Sequence, residues 1–326
     1  MITQSLVVLL AASLASTALA QLTPDRLYYG VDRPIPMTIK VPEGKTGEVK
    51  IELLEAVTAN SLSSASAAAG SVNLATIFPE IWGKKDSKIV YAQLVVGDEK
   101  IGSAVVIQPM VDRGVATTDP QTKKAIFNPT PKAYSGVRAW SDRNILIETT
   151  KGSMTFELRA DQAPNTSFNF IHLCEGGFYT DIAFHRILGT KQFPFVVQVG
   201  DPTGLGSGGP GYAIDLEDSK LLHDFGVLSM ARTPDPNSNG SQVFICLSRE
   251  RCASLDTQYT AFGQLIAGAD TLAALAETPV GPSDKEKQAG RPIDAPKIIR
   301  AKLVEAAPYR TGAKPASTLP VPPVTR

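Results

Sequence analysis

In several runs between Gly30 and Gln108 apolar side chains recur at every second position. Ile35, Met37, Ile39 and Val41 alternate with other residues, and Val49, Ile51 and Leu53 alternate with Glu48, Lys50 and Glu52. A period of two is that of a strand with one face buried. Two further runs, Lys88 to Val96 and Lys100 to Gln108, are joined by Gly97-Asp98-Glu99 and predict a hairpin. The Ala/Ser-rich stretch from Ala56 to Gly70 reads as a long loop between the two strand pairs. Residues 21–113 are therefore expected to form a small β-sandwich-like domain, and no spacing within it points to chemistry.

From about Gly114 to Asp142 the alternation fades and prolines appear in Asn128-Pro129-Thr130-Pro131, which predicts a linker or connecting segment. Strand-like runs resume at Ile145–Thr149 and Met154–Leu158, around the turn Lys151-Gly152-Ser153. Pro164 then opens a helical segment that closes at Gly176-Gly177. Runs at Ala183–Ile187, Phe195–Val199, Gly226–Met230, Val243–Leu247 and Thr260–Ile266 follow, then a helix at Asp270–Ala276 and a last strand at Lys297–Val304. Many short strands with two helices predict an eight-stranded β-barrel capped at its ends, spanning residues 143–305. The tail, 306–326, holds five prolines and reads as disordered.

Charge narrows the range of partners. Thirty-two Lys plus Arg balance thirty-two Asp plus Glu with no block of either sign, so nucleic acid is not an expected partner. The first twenty residues are apolar and uncharged and end in Ala18-Leu19-Ala20 before Gln21, the form of a cleaved signal peptide. The mature chain is thus expected to be exported, periplasmic or secreted, and not membrane-spanning once the signal is removed. Three cysteines in no ligand spacing exclude a disulfide framework, leaving a Cys246–Cys252 bridge open.

Several short motifs dissolve on inspection. Gly204-Leu205-Gly206-Ser207-Gly208-Gly209 fits G-x-G-x-x-G, but Pro210-Gly211 and a strand-like Tyr212-Ala213-Ile214 follow where a dinucleotide site needs a helix, so a flexible surface loop is expected. Asn165-Thr166-Ser167 and Asn239-Gly240-Ser241 match a glycosylation sequon that arises often by chance. His172, His185 and His223 with Ser229 and aspartates supply the residue types of a hydrolase triad without its strand-turn-helix elbow, and structural histidines are expected.

The informative signal is a series of blocks. They are Phe184-His185-Arg186-Ile187; Phe195 to Gly204; Gly208 to Tyr212; Leu228-Ser229-Met230-Ala231-Arg232; Pro236 to Ile245; and Leu255-Asp256 with Tyr259-Thr260-Ala261-Phe262-Gly263. Taken alone, an Arg at a strand end near Phe195, Phe244, Leu255 and glutamines suggests an apolar cup beside a polar fork. In their order, the six blocks resemble the cyclophilin-type peptidyl-prolyl cis/trans isomerases over about half of the chain. The resemblance implies Arg186, Phe195, Gln198, Gln242 and Phe244 as the catalytic elements. It implies substrate contacts from Val196, Ala231, Arg232, Thr233, Leu255 and Tyr259. Within that set, Phe195, Val196, Phe244 and Leu255 would hold the proline ring, Gln198 and Gln242 the substrate backbone, and Arg232 and Thr233 the groove beyond it. Tyr259 stands where many members carry His, Val196 replaces the usual Met, and Ser254 stands where cyclosporin-sensitive members carry Trp. The segment Leu188 to Pro194 is longer than the family's usual loop. No metal or cofactor is implied.

The expected activity is cis/trans isomerisation of X-Pro bonds in proline-containing peptides and in unfolded or exported proteins, assisting their folding. The alternative is a module that binds proline segments with little turnover. Retention of Arg186 favours the enzyme, because apolar binding alone does not call for a guanidinium at the pocket edge.

Overall fold

The computed structural model describes residues 21–83, 88–111, 114–127, 133–189, 194–282 and 290–316. The expected signal peptide lies outside the described residues, as does the end of the tail from 317.

The first unit is a pair of sheets. Strands β1 (Leu22–Pro24), β3 (Pro36–Ile39) and β6 (Gly70–Asn73) form one, in the order β1-β3-β6. Strands β2 (Tyr28–Gly30), β4 (Val49–Glu55), β5 (Ser61–Ser66), β7 (Val90–Val96), β8 (Glu99–Val111) and β11 (Tyr134–Ser141) form the other, in the order β2-β11-β8-β7-β4-β5. Two short helices, α1 (Leu74–Ile77) and α2 (Glu80–Gly83), close one side. Between the sheets lies a core that includes Met37, Ile39, Ile51, Leu53, Leu94 and Val105. The sandwich-like expectation holds, with two corrections. The Ala/Ser-rich stretch is not a long loop but contains β5, an edge strand whose mostly solvated Ser side chains need no apolar alternation. Nor are the described parts of 114–142 a linker, Asn128-Pro129-Thr130-Pro131 lying outside the described residues. They carry the small hairpin of β9 (Ala116–Thr118) and β10 (Ala125–Phe127), then β11, which pairs with β8 from Tyr134↔Val111 to Ser141↔Val105.

The second unit begins one residue later. Its strands are β12 (Arg143–Thr149), β13 (Gly152–Leu158), β14 (Ile182–Ala183), β15 (Arg186–Gly189), β16 (Pro194–Val199), β17 (Val227–Met230), β18 (Val243–Cys246), β19 (Ala261–Ala267) and β20 (Lys297–Glu305). They make one curled sheet in the order β14-β20-β12-β13-β19-β17-β18-β16-β15. Among the described residues that is nine strands, the two-residue β14 being the one beyond the eight expected. Helices α3 (Pro164–Glu175) and α5 (Ala269–Ala276) are the two expected, and a short α4 (Arg249–Cys252) precedes a 3-10 turn at Ala253–Leu255. Pro164 takes the first turn of α3, where its missing N–H costs nothing. The amides of Asn165 and Thr166 donate to the Glu217 carboxylate at 3.2 and 2.7 Å, a cap supplied from 51 residues downstream. Gly177, at φ +76°, turns the chain after the helix.

One apolar core joins the units. Leu54, Tyr91, Ala104, Val106 and Trp140 from the six-stranded sheet, with Ala56 from the turn after β4, are buried together with Ile145, Phe156, Phe170 and Phe262 of the curled sheet and its helix. The middle strands β7, β8 and β11 are therefore covered on both faces, by the small sheet on one side and the second unit on the other. The beginning of the tail closes the seam. Tyr309 is buried and stacks on Tyr91 with ring centroids 3.7 Å apart, and its amide donates to Gln93 Oε1 at 2.9 Å. Ala316 N–H reaches Leu265 O at 2.9 Å. Residues 306–316 are thus docked, correcting the expectation of disorder from 306.

Candidate functional site

Strands β15, β16, β18 and β17 lie side by side, and their register builds the site. Arg186 is opposite Gln198, Gln198 opposite Phe244, and Phe244 opposite Ser229. Directly opposed residues point to the same face, so these four form one row across the sheet. The neighbouring row on that face is Leu188, Val196 and Cys246. The opposite face, with Ile187, Val197, Ile245 and Leu228, faces the shared core. The runs Phe195–Val199 and Val243–Leu247 read as continuously apolar because both faces of these strands are covered.

On the outer face an apolar cup forms from Val196, Val227, Phe244, Cys246, Cys252 and Ala261, with Phe195, Ala231, Leu255 and Tyr259 half-buried around it. The rings of Phe244 and Tyr259 meet edge to face, 5.5 Å between centroids. After the longer segment that follows Ile187, β16 pairs back onto β15 through Leu188↔Val196, and Phe195 packs at the edge of the cup. Of that segment, residues 190–193 lie outside those described.

Beside the cup runs a chain of polar side chains. Arg186 Nη1 donates to Gln198 Oε1 at 3.3 Å, Gln198 Nε2 donates to Gln242 Oε1 at 2.9 Å, and Gln242 Nε2 donates to the carbonyls of Gly206 and Gly208 at 3.0 and 2.9 Å. Gly200 makes the last approach feasible: at φ +101°, a Cβ there would sit 2.2 Å from Ser241 O. The glycine-rich loop is neither a phosphate cradle nor loose. Asp201 gathers it, accepting from the amides of Thr203 and Gly206 and from the Thr203 hydroxyl. Burial raises the Asp201 pKa, but the loop amides and that hydroxyl outweigh it and hold the value at about 2. Arg186 keeps a buried Nε–H with no hydrogen-bond partner among the described residues. Burial pulls its pKa down, and the nearby Tyr259 opposes the shift. It remains a cation, since an arginine starts so far above neutrality.

Arg232 and Thr233 sit at the rim and are engaged within the protein. The Arg232 guanidinium lies over the Tyr259 ring, 4.8 Å from its centroid, and donates to the carbonyls of Gln258, Thr233 and Pro234. The Thr233 hydroxyl is 2.8 Å from Ser238 Oγ. The eleven residues singled out in the sequence thus share one face and its rim, with Thr233 on the exposed outer side of that rim.

A second polar network was not legible. His223 Nε2 lies 2.9 Å from Ser229 Oγ and Nδ1 3.1 Å from Asp256 Oδ1, while Arg249 grips both Asp256 oxygens at 2.9 and 2.6 Å. The His223 ring stacks on Phe244 with centroids 5.8 Å apart. Burial lowers the His223 pKa, so the neutral ring donates from Nδ1 to Asp256 and accepts the Ser229 hydroxyl at Nε2. Burial raises the Asp256 pKa, but Arg249 and then His223 override it, to about 2. Ser229 and His223 are both fully buried, so the hydroxyl meets no acyl substrate, and the expectation of a structural histidine stands. No sequence spacing signals this network, because its members come from a loop, a strand, a short helix and a turn. Cys246 and Cys252 are free thiols in the cup.

A family model described as cyclophilin type peptidyl-prolyl cis-trans isomerase/CLD matches residues 144–303, from β12 to β20. Peptidyl-prolyl cis-trans isomerase-like 1 of Aspergillus fumigatus is 40% identical over 167 residues, which span 50% of this chain and 96% of the fungal protein. The chain belongs to the cyclophilin-type peptidyl-prolyl cis-trans isomerases. Peptidyl-prolyl cis-trans isomerase CYP65 of Arabidopsis thaliana is 38% identical over 194 residues, 58% of this chain but only 29% of the plant protein. A crystal structure of a Cryptosporidium parvum cyclophilin type isomerase, in the presence of the dipeptide Ala-Pro, is 37% identical, covers 50% of this chain and 99% of its own, and superposes with a TM-score of 0.43. The cyclophilin unit thus occupies the second half of the chain, after the sandwich.

Proposed function

We propose that the outer face of β15, β16 and β18 is where this cyclophilin isomerises X-Pro bonds, with Arg186 as the group that stabilises the twisted bond. A peptide bond resists rotation by about 18–20 kcal/mol because of its partial double-bond character. As it twists, resonance is lost and the lone pair localises on the prolyl nitrogen. A donor aimed at that nitrogen therefore binds the transition state better than either planar isomer. The observation that carries the reading is the Arg186 guanidinium at the cup, held by Gln198 and with its Nε–H free of any described protein acceptor. Phe195, Val196, Phe244 and Leu255 form the seat for the proline ring, Tyr259 donates to the substrate carbonyl, and Gln198 and Gln242 hold the neighbouring backbone. Ala231, Arg232 and Thr233 line the groove beyond. No bond is made or broken, so no general base is required.

The apolar first twenty residues, ending in Ala18-Leu19-Ala20, support export of the protein to a periplasmic or extracellular space. Its clients there are unfolded or exported proteins whose folding waits on proline isomerisation, a step of about tens to hundreds of seconds unaided. Exchange spectroscopy on an Ala-Pro peptide with the full chain tests the site. Parent protein accelerates interconversion and Arg186→Ala loses most of that acceleration; equal acceleration by both would remove Arg186 from the mechanism. Mass analysis of exported material tests the signal, with Gln21 expected as the first residue and an intact Met1 contradicting it.

A further inference from the structure

The hairpin of β9 and β10 precedes the isomerase unit in sequence yet docks on it. Ala125 N–H donates to Gln258 Oε1 at 3.3 Å, and Asn237 Nδ2 donates to Ala116 O at 2.8 Å. One contact is made by β10 and the other by β9, so the hairpin spans two separate loops of the isomerase unit. Those are the loops that Arg232 ties together, through Gln258 O on one side and Thr233 O and Pro234 O on the other. The hairpin therefore straddles the rim beside Tyr259, whose ring meets Phe244 in the cup.

The two faces of the hairpin differ. Opposed residues share a face and successive ones alternate, which puts Ala116, Thr118, Ala125 and Phe127 on one side and Thr117 and Ile126 on the other. Ala116 is buried and Ala125 and Phe127 are half-buried, so theirs is the docked side. Ile126 points away from it and is 43% exposed. A stiff apolar side chain is thus held in solvent at the edge of a site for extended peptide.

We propose that this hairpin is an outer subsite of the isomerase, in which Ile126 contacts apolar side chains flanking the isomerised proline. The inference rests on the site assigned above. Its occupant is the flank of the same substrate chain, because the hairpin is bonded to the residue next to Tyr259 and to the loop stapled by Arg232. An extended chain advances about 3.3 Å per residue, so a flank of a few residues leads from the cup across the rim. The substrate class that follows is unfolded polypeptide with apolar residues near proline, not short proline peptides alone.

The test uses the full chain, as parent, Ile126→Ser and Ile126→Asp, with two substrates: an Ala-Pro tetrapeptide and a twelve-residue peptide carrying Leu on both flanks of the same Ala-Pro. Tetrapeptide exchange is expected to be the same for all three proteins, which also reports that they fold. For the long peptide, KM is expected to rise roughly fivefold with Ile126→Asp and less with Ile126→Ser, as a partly exposed apolar contact is lost. An unchanged KM, or a lower one, would overturn the subsite. Should the parent turn over neither peptide, the assignment of the site fails, and affinity for the long peptide still decides the hairpin: tighter binding by parent than by Ile126→Asp supports it and equal binding refutes it. Gln258→Ala, which removes the acceptor of Ala125 N–H, should weaken long-peptide binding in the same direction; no change there together with no change at Ile126 would sink the proposal.

Discussion

Two polar chains cross the same stretch of sheet, and they end differently. Ser229, His223, Asp256 and Arg249 close on one another beneath Phe244, each bonded to the next, with the serine and histidine wholly buried. Arg186, Gln198 and Gln242 run alongside, anchored at the loop carbonyls of Gly206 and Gly208 but open at Arg186, where a buried N–H has no described acceptor. The first chain has the residue types of a hydrolytic triad and no access to substrate. The second has no nucleophile and faces an apolar cup. Residue type alone would rank the first above the second, and burial of Ser229 and His223 argues against that order. A saturated buried network supports a fold, whereas an unspent donor beside an apolar seat is available to a ligand.

If that distinction holds, damage to the closed chain appears as lost stability and damage to the open site as lost binding or rate. The largest stability effect is expected for His223→Ala. It strips the Ser229 hydroxyl and Asp256 of a partner and leaves a void against Phe244, which together should cost about 2–4 kcal/mol in denaturant unfolding. The fraction that remains folded should keep most of its isomerase rate; a rate collapse without destabilisation would move His223 into the mechanism. Next, Phe195→Ala removes a half-buried wall of the cup, and peptide affinity should fall by about 1.5 kcal/mol, roughly tenfold in Kd, in a titration. An unchanged Kd would mean the proline ring sits elsewhere.

A smaller effect concerns the seam between the units. Burial, then the neighbouring Glu157, push the Asp142 pKa from 3.8 up to about 7. For a carboxyl raised in this way the native state holds the extra proton, so its contribution is full below about pH 4 and is lost as pH rises through 7. His223 and His185, both lowered by burial, act in the opposite sense, and their contribution is lost as pH falls below the unfolded value of 6.5. Thermal unfolding of Asp142→Asn against parent isolates the first effect. The variant should gain on the parent as pH rises from about 4 to 7 and level off above that, and parallel curves would show that Asp142 is not held neutral. The smallest change is expected from cyclosporin, which should barely slow turnover. Ser254 lies exposed on the 3-10 turn and offers neither the area nor the N–H of an indole. Tight inhibition would mean another residue fills that place.

The isomerase unit was readable in the sequence because its blocks fix strand ends, glycine turns and the residues of one sheet face together. The first unit was readable only in part, for physical reasons that differ by element. In β11 the alternation is lost because Val137 and Ala139 face one core and Trp140 the other, so apolar residues occupy both phases. Gly136 in the same strand is required by crowding, since a Cβ there would lie 2.0 Å from Tyr29 O, yet in sequence it reads as a break. In β5 the reverse applies: a solvated edge strand of serines has no apolar period to detect. The docked tail depends on Tyr309, one aromatic residue in a proline-rich context. The outer network under Phe244 was invisible because pairing His223 with Asp256 is a matter of tertiary approach across 33 residues.

The central claim is that Arg186 acts on the twisted bond and not on the bound ground state. Arg186→Lys keeps a positive charge but loses the rigid fork of donors. Exchange rate at saturating Ala-Pro peptide, measured beside Kd for the same variant, tests the claim most directly. Losing a donor placed where charge develops typically costs about 2.7–4 kcal/mol, so the rate should fall roughly a hundred- to a thousandfold while Kd changes by no more than about threefold. A variant that exchanges the peptide as fast as the parent, or that loses affinity and rate in equal measure, would contradict it.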